Sequence, residues 1–260
     1  SNSGLELTID TKNIQTKEFS WTSSFNISFN RNKVLSLNDD EPSLASRVNW
    51  GNFNNAYPYI AIPGHPIAMF YGHIFDGVYQ YTDFDKVGES YNPNPKHIGG
   101  FGNNFQYKNF DLNVFFQWSY GGDVLNANRI EFEGGDPNAR TSLNMFASFA
   151  NRWTPENQTN ELYRIGGQGP AVYSSRTIED GSFLRLKTVS LGYRLPNAWL
   201  KKINIKSLRV YASAQNLITW TRYSGPDPEV STRPTALTPS FDWSPYPRPR
   251  TLTLGVDISF

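Results

Sequence analysis

Residues 251–260 read TLTLGVDISF. In an extended chain Leu252, Leu254, Val256, Ile258 and Phe260 point one way, and Thr251, Thr253, Gly255, Asp257 and Ser259 the other. Strict alternation of this kind is the period of a strand with one apolar and one polar face. Most domains fray at their last residues. A well-patterned strand that runs to the final residue, and ends on an aromatic, therefore calls for an explanation.

The pattern recurs upstream. Leu5, Leu7 and Ile9 alternate with Glu6, Thr8 and Asp10, and Phe19, Trp21, Phe25, Ile27 and Phe29 with Ser20, Thr22, Ser24, Asn26 and Ser28. Phe101, Phe105 and Tyr107 alternate with Gly100, Gly102, Asn104 and Gln106. Phe110, Leu112, Val114, Phe116, Trp118 and Tyr120 alternate with Asp111, Asn113, Gln117 and Ser119, Phe115 being the one exception. Val189, Leu191, Tyr193 and Leu195 form a further set, as do Leu208, Val210, Ala212, Ala214, Ile218 and Trp220, which alternate with Arg209, Ser213, Gln215 and Thr219. The terminal strand brings the count to seven amphipathic strands. No segment of helical period lasts more than a turn or two, so the chain is all-β.

Composition excludes several classes. The 260 residues are 38% hydrophobic, against about 45–50% in an ordinary soluble domain, and mean hydropathy is −0.52. Yet 18 Phe, 14 Tyr and 7 Trp make the chain 15% aromatic, an odd recipe for a water-soluble core. A net charge of +1 gives no field to steer it towards nucleic acid. Without cysteine there is neither a disulfide framework nor thiolate chemistry. No apolar run approaches the ~18 residues of a membrane helix. The opening SNSGLELTID has no initiator Met and is in strand pattern by Leu5, as expected for the interior of a longer precursor.

The connections decide between folds. Those at 12–18, 108–109 and 196–207 are short, the last with one helical-looking piece, AWLKKI. Those at 31–98, 121–182 and 221–250 run to nearly seventy, just over sixty and thirty residues. Short and long alternate strictly, so all turns fall at one end of the sheet and all long loops at the other. A transmembrane antiparallel β-barrel has this form, with short periplasmic turns and long extracellular loops. Strands near ten residues match the ~9–11 needed to cross the hydrocarbon. Large aromatics near the strand ends match interfacial girdles, and the Ser, Thr, Asn, Gln and Asp of the other face suit a wet lumen. Residues 66–84 carry apolar side chains on both faces, and strand parity allows them no crossing strand or else a hairpin pair; they read as ordered structure at the barrel mouth. Seven strands leave two open edges, which lipid does not tolerate. The chain is therefore expected to be part of a barrel, its other strands upstream or in another chain.

Particular blocks then resemble a known family. FLRLKTVSLGYRLPNAWLKK (183–202), SLRVYASAQNLITWTRYSGPDPEV (207–230) and YPRPRTLTLGVDISF (246–260) are similar to the C-terminal end of SusC/RagA TonB-dependent outer-membrane transporters of the Bacteroidetes. KEFSWTSSFNISFNRNKV (17–34), GHPIAMFYGHIFDGVYQ (64–80), YKNFDLNVFFQWSYGGDVLN (107–126) and NRWTPEN (151–157) agree in order along the chain. The resemblance implies that residues 1–260 are about seven strands of a 22-stranded barrel, located in the outer membrane. The family's signal peptide, carboxypeptidase-like domain, TonB box and plug would lie outside this sequence. It implies energy-dependent import of an oligosaccharide or peptide, with a SusD-like surface lipoprotein as lid and the TonB complex engaged through the missing N-terminal part. It also implies that the barrel assembly machinery reads Phe260 as an insertion signal before the last strand closes against the first. Outer-membrane lipid and the remaining strands complete the expected partners; nucleic acid is not among them.

No residues point to catalysis. His65, His73 and His97 share no metal-ligand spacing, and no carboxylate pair is fixed for glycosidase chemistry. GGFG (99–102) and GGQG (166–169) lack the strand and helix of a nucleotide site. No cofactor or metal is expected, the weak exception being calcium in a loop at DPE (227–229) or DFD (83–85). Trp153, Trp220, Tyr223, Trp243 and Tyr246 are the candidates for ligand or lid contact, with girdle or loop packing as the alternative use. Asp111, Asn113, Gln117, Gln215 and Asp257 are expected to face the lumen. A passive porin or structural barrel and a soluble lectin-like β-sandwich remain as other readings.

Overall fold

The computed structural model describes residues 1–50, 53–75, 79–80, 91–133, 144–162, 164–165, 173–200, 204–232 and 235–260. Seven long strands make one antiparallel sheet: β1 (Asn2–Gln15), β2 (Phe19–Asn32), β3 (His97–Tyr107), β4 (Phe110–Tyr120), β5 (Phe183–Arg194), β6 (Ser207–Thr221) and β7 (Thr251–Ser259). Each strand pairs with the next in sequence, leaving β1 and β7 as the two edges. Three short connections, at 16–18, 108–109 and 195–206, lie at one end, and the three long ones at the other. In the two-residue turn Lys108 takes a φ of 52°. At the helical-looking piece Asn197–Leu200 is a four-residue helix, and residues 201–203 of AWLKKI lie outside the described set.

Register follows the sequence alternation. Leu112, Leu191, Ala212 and Leu254 stand opposite one another across four strands, and Val114, Val189, Ala214 and Leu252 form the row beside them. This face is open: Leu191 is 51% exposed and Leu254 85%. A one-residue slip would turn every such row over, yet bulges occur in β5 and β6 as well as in β1. Lys187 is an extra residue of β5 against β4, and β6 has its extra residue near Asn216, whose φ is 52°. The first keeps Leu184 and Leu186 on the same face as Val189 and Leu191 despite the change from even to odd.

The apolar face is not uniformly apolar. Asn13 lies at a register shift in β1, and its Nδ2 donates to Ser23 Oγ at 2.6 Å. Ser23 Oγ and Trp21 Nε1 both donate to Asn103 Oδ1, at 2.7 and 2.9 Å. Mutual hydrogen bonding lowers the cost of holding these groups away from water.

The long connections carry structure of their own. The first contains a hairpin, Leu44–Trp50 with Phe53–Ala61, to which Met69–Phe70 adds a third short strand. Ile74–Phe75 pairs with Tyr79–Gln80, so residues 66–84 add a small hairpin and no strand to the large sheet; residues 76–78 and 81–84 lie outside the described set. Asp123–Asn126, Ile178–Asp180 and Phe241–Asp242 form another three-stranded sheet, followed after Asn126 by the helix Ala127–Glu133. One hydrophobic core joins all three connections. Val48, Tyr59 and Phe70 of the first pack with Leu125, Ala127 and Ile130 of the second and Phe241 of the third. Tyr59 Oη donates to the Pro239 carbonyl at 2.7 Å, and burial pushes this phenol well up from its ordinary pKa.

Candidate functional site

The polar face of the sheet carries two charge clusters. Near the turns, Arg209 of β6 reaches across β5 to Asp111 of β4, its Nε 2.9 Å and its Nη2 2.6 Å from the two carboxylate oxygens. The path is open because residue 192 is glycine, where a Cβ would sit 2.5 Å from the guanidinium. On its other side Arg209 Nη1 donates to Asp257 of β7, its register partner, at 3.2 Å.

Near the loops the second cluster is deeper. Arg185 of β5 is 2% exposed in its side chain and donates through Nη2 to Asp227 Oδ1 at 2.5 Å. Its Nη1 is 3.4 Å from Glu229 Oε2, while Glu229 Oε1 is 2.8 Å from Arg248 Nη2. Asp227 also accepts from the backbone amides of Glu229 and Arg248. Burial alone would raise the Asp227 carboxyl, but Arg185 and these amides hold it below its ordinary value. Both carboxylates of the DPE stretch are thus committed to arginines. DFD at 83–85 lies outside the described residues.

Between the polar face and the loops lies a cavity of about 670 Å³. Asn26, Gly100, Phe115 and Gln117 line it from the sheet, and Pro93, Glu229 and Arg248 from the connections. Phe115, the exception in the alternation, rests on β3 because residue 100 has no side chain: a Cβ there would lie 2.8 Å from the Phe115 ring. An aromatic ring, amides and a charge ladder in one cavity equip it to hold a polar solute with some apolar surface.

A third polar cluster belongs to the loop body. Glu133, 5% exposed in its side chain, meets Arg176 at 2.6 Å, Arg129 at 3.0 Å and Ser148 at 2.7 Å. Burial would raise its carboxyl, and these three partners bring it below its ordinary value instead. Asp242 accepts from Asn128 and from the Tyr223 hydroxyl, and burial pushes both Asp242 and Tyr223 up.

The residues expected to matter fall in different settings. Asp111 and Asp257 meet at Arg209; Asn113 Nδ2 donates to Asn104 Oδ1 at 2.5 Å; Gln117 lines the cavity; Gln215 stands opposite Thr188 and Thr251. Trp220 is on the apolar face, 48% exposed. Tyr223 is 5% exposed and so belongs to the loop interior rather than to a ligand-facing surface. Trp243 packs on the loop core, Trp153 donates its amide to the Leu162 carbonyl, and Tyr246 is 88% exposed. Phe260 is 77% exposed just past β7. Sequence reading passed over Arg185, Arg209 and Arg248; the first two were visible as cations at polar-face positions. Among the described residues no group of three or more His, Asp or Glu is placed to hold a metal ion.

No protein-family model matches the chain. It is similar throughout its length to curated relatives, at 34% identity to TonB-dependent receptor P3 of Formosa agariphila and 30% to TonB-dependent receptor SusC of Bacteroides thetaiotaomicron. It spans 28% and 26% of their lengths. Among solved structures it superposes over its full length on 29% of a chain of the RagAB peptide transporter, with a TM-score of 0.81 at 24% identity. These relatives are receptors and transporters, not enzymes. Consecutive pairing, one exposed apolar face and segregated loops now have their explanation: the chain belongs to the SusC/RagA family of TonB-dependent receptors, and its sheet is part of their transmembrane β-barrel.

Proposed function

We propose that residues 1–260 form the C-terminal part of an outer-membrane importer that takes up oligosaccharide or peptide nutrients. One observation carries this reading: a wide apolar face left open on one side of the sheet, with charge ladders and a roofed cavity on the other. Turned to lipid, the apolar face needs no further cover, whereas a soluble lectin-like sandwich would have to bury it. The polar face then lines the lumen, and the edges of β1 and β7 pair with strands outside this chain. The three-loop body forms part of the extracellular mouth and seats a SusD-like lipoprotein lid. Energy comes from TonB through regions beyond this segment, and Phe260 serves as the signal to the assembly machinery.

The test is uptake by cells that depend on the whole receptor for growth on a defined oligosaccharide or oligopeptide. Removing TonB should abolish growth while the folded barrel persists in the outer membrane. Growth that is independent of TonB would favour a passive pore. Disrupting the loop body through Phe241→Asp should release the lipoprotein from the purified complex; unchanged co-purification would remove the loops from the lid contact.

A further inference from the structure

The apolar face has a groove of about 640 Å³ at the loop end. Trp118, Tyr120, Leu184 and Trp220 line it, with His97 and Arg222 at its rim. Rings border it densely: Tyr120 stacks on His97 at 5.0 Å and Trp220 lies 6.5 Å from Phe116. Trp118 Nε1 donates to His97 Nδ1 at 3.1 Å, so a neutral His97 carries its proton on Nε2.

Three arginines follow the same edge. Arg31 is at the loop end of β2, two residues beyond Phe29; Arg222 follows β6, two beyond Trp220; Arg250 precedes β7, two before Leu252. Arg31, inside β2, belongs to the apolar face by strand parity; Arg222 borders the groove directly, and Arg222 and Arg250 each lie one residue beyond a strand end. All are exposed, and among the described residues none is ion-paired with a carboxylate. Arg31 donates to the backbone carbonyls of Asn30 and Lys96. Arg185 and Arg209 of the polar face and Arg248 of the third connection, by contrast, are each ion-paired. The one acidic side chain lining the groove, Asp180, accepts the Ser182 amide.

Cations above a belt of aromatics suit an amphiphile whose acyl chains lie along the wall and whose anionic head stands at the interface. A guanidinium without a carboxylate partner offers paired donors that match phosphate geometry. We infer that this edge is a binding site for a phosphorylated glycolipid of the outer leaflet, its acyl chain in the Trp118–Leu184–Trp220 groove and its phosphate at Arg222, with Arg31 and Arg250 extending the contact along the rim. The inference rests on the loop end facing outwards.

The whole receptor, purified in detergent, is mixed with bisphosphorylated lipid A or with its phosphate-free form, and bound lipid is counted by native mass spectrometry. The phosphorylated form should be retained several-fold better. Joint replacement R31A/R222A/R250A should lower its retention about tenfold, and the corresponding lysine variant should keep most of it. Lys108→Ala, at the opposite end, should change nothing. Heat-modifiable mobility on gels shows that each variant is folded. Equal retention of both lipids, or wild-type retention by the folded alanine variant, would overturn the site. Orientation is read separately from Tyr246→Cys, since the segment has no cysteine of its own. Labelling of that thiol in intact cells by an impermeant maleimide supports the outward assignment, and labelling only after lysis overturns it together with the inference.

Discussion

Arg209 shows how a single side chain ties three strands together. Its stronger contact is with Asp111, through two donors, and Asp257 is 63% exposed and held by one longer bond. Exposed pairs of that kind contribute about 0–1 kcal/mol. Asp257→Asn should therefore leave the amount of folded barrel in outer membranes nearly unchanged. Val256→Asp puts a carboxylate on the opposite, lipid-facing side of the same strand, where a charge costs up to a few kcal/mol depending on depth. Its folded yield, read from heat-modifiable mobility, should fall. Equal yields for the two variants would refute the division of faces. Asp257 was legible as polar-face from the alternation of the last strand alone. Its partner was not, because the bond to Arg209 crosses from one strand to another and the reach to Asp111 requires a missing side chain at Gly192 two strands from Asp257.

At the scale of elements, strands and turns followed from period and parity, and so did the separation of short from long connections. Period fails where the chain gains a residue. The bulge at Lys187 changes which parity of its strand points outwards, from Leu184 and Leu186 to Val189 and Leu191, whereas the outward residues of β6 stay even-numbered across Asn216. Nothing local in FLRLKTVSL marks the shift. The short hairpin Leu44–Ala61 also escaped, since Pro58 and a run of Asn and Ala blur its alternation, and its stability comes from packing on other connections. One element of that packing should be pH-sensitive. Asp123 begins the short strand Asp123–Asn126, accepts the Asn92 amide at 2.8 Å and stands opposite Asp180. Burial first, and the Asp180 charge after it, push its carboxyl up to about 6. A folded-state pKa above the unfolded value of 3.8 means that the loop body is most stable below about pH 4 as far as this group is concerned. That contribution is lost as pH rises through 6. Hydrogen exchange at residues 123–126, corrected for intrinsic rates, should show protection falling between pH 4.5 and 7. Asp123→Asn should flatten the profile; the same slope in the variant would assign it to another group.

For the molecule as a whole, the sequence located the long connections at one end but gave no hint that they fold together. Alternation reports on neighbours along a strand, whereas Tyr59, Ile130 and Phe241 meet from three separate stretches. Phe241 is fully buried at that junction, and Phe241→Ala should cost about 3–5 kcal/mol of loop stability. Amide exchange should quicken together at 44–70 and at 123–130, while β3 to β6 keep their protection. Faster exchange confined to residues near 241 would show that the connections are independent. In the importer proposed above, a shared interior would also bear on how the mouth opens. Packed interfaces tend to switch between discrete arrangements rather than deform continuously. Three flaps with separate hinges would admit a solute by degrees, each yielding in turn. Three connections riveted through one set of side chains would instead swing as a single door, either shut or ajar.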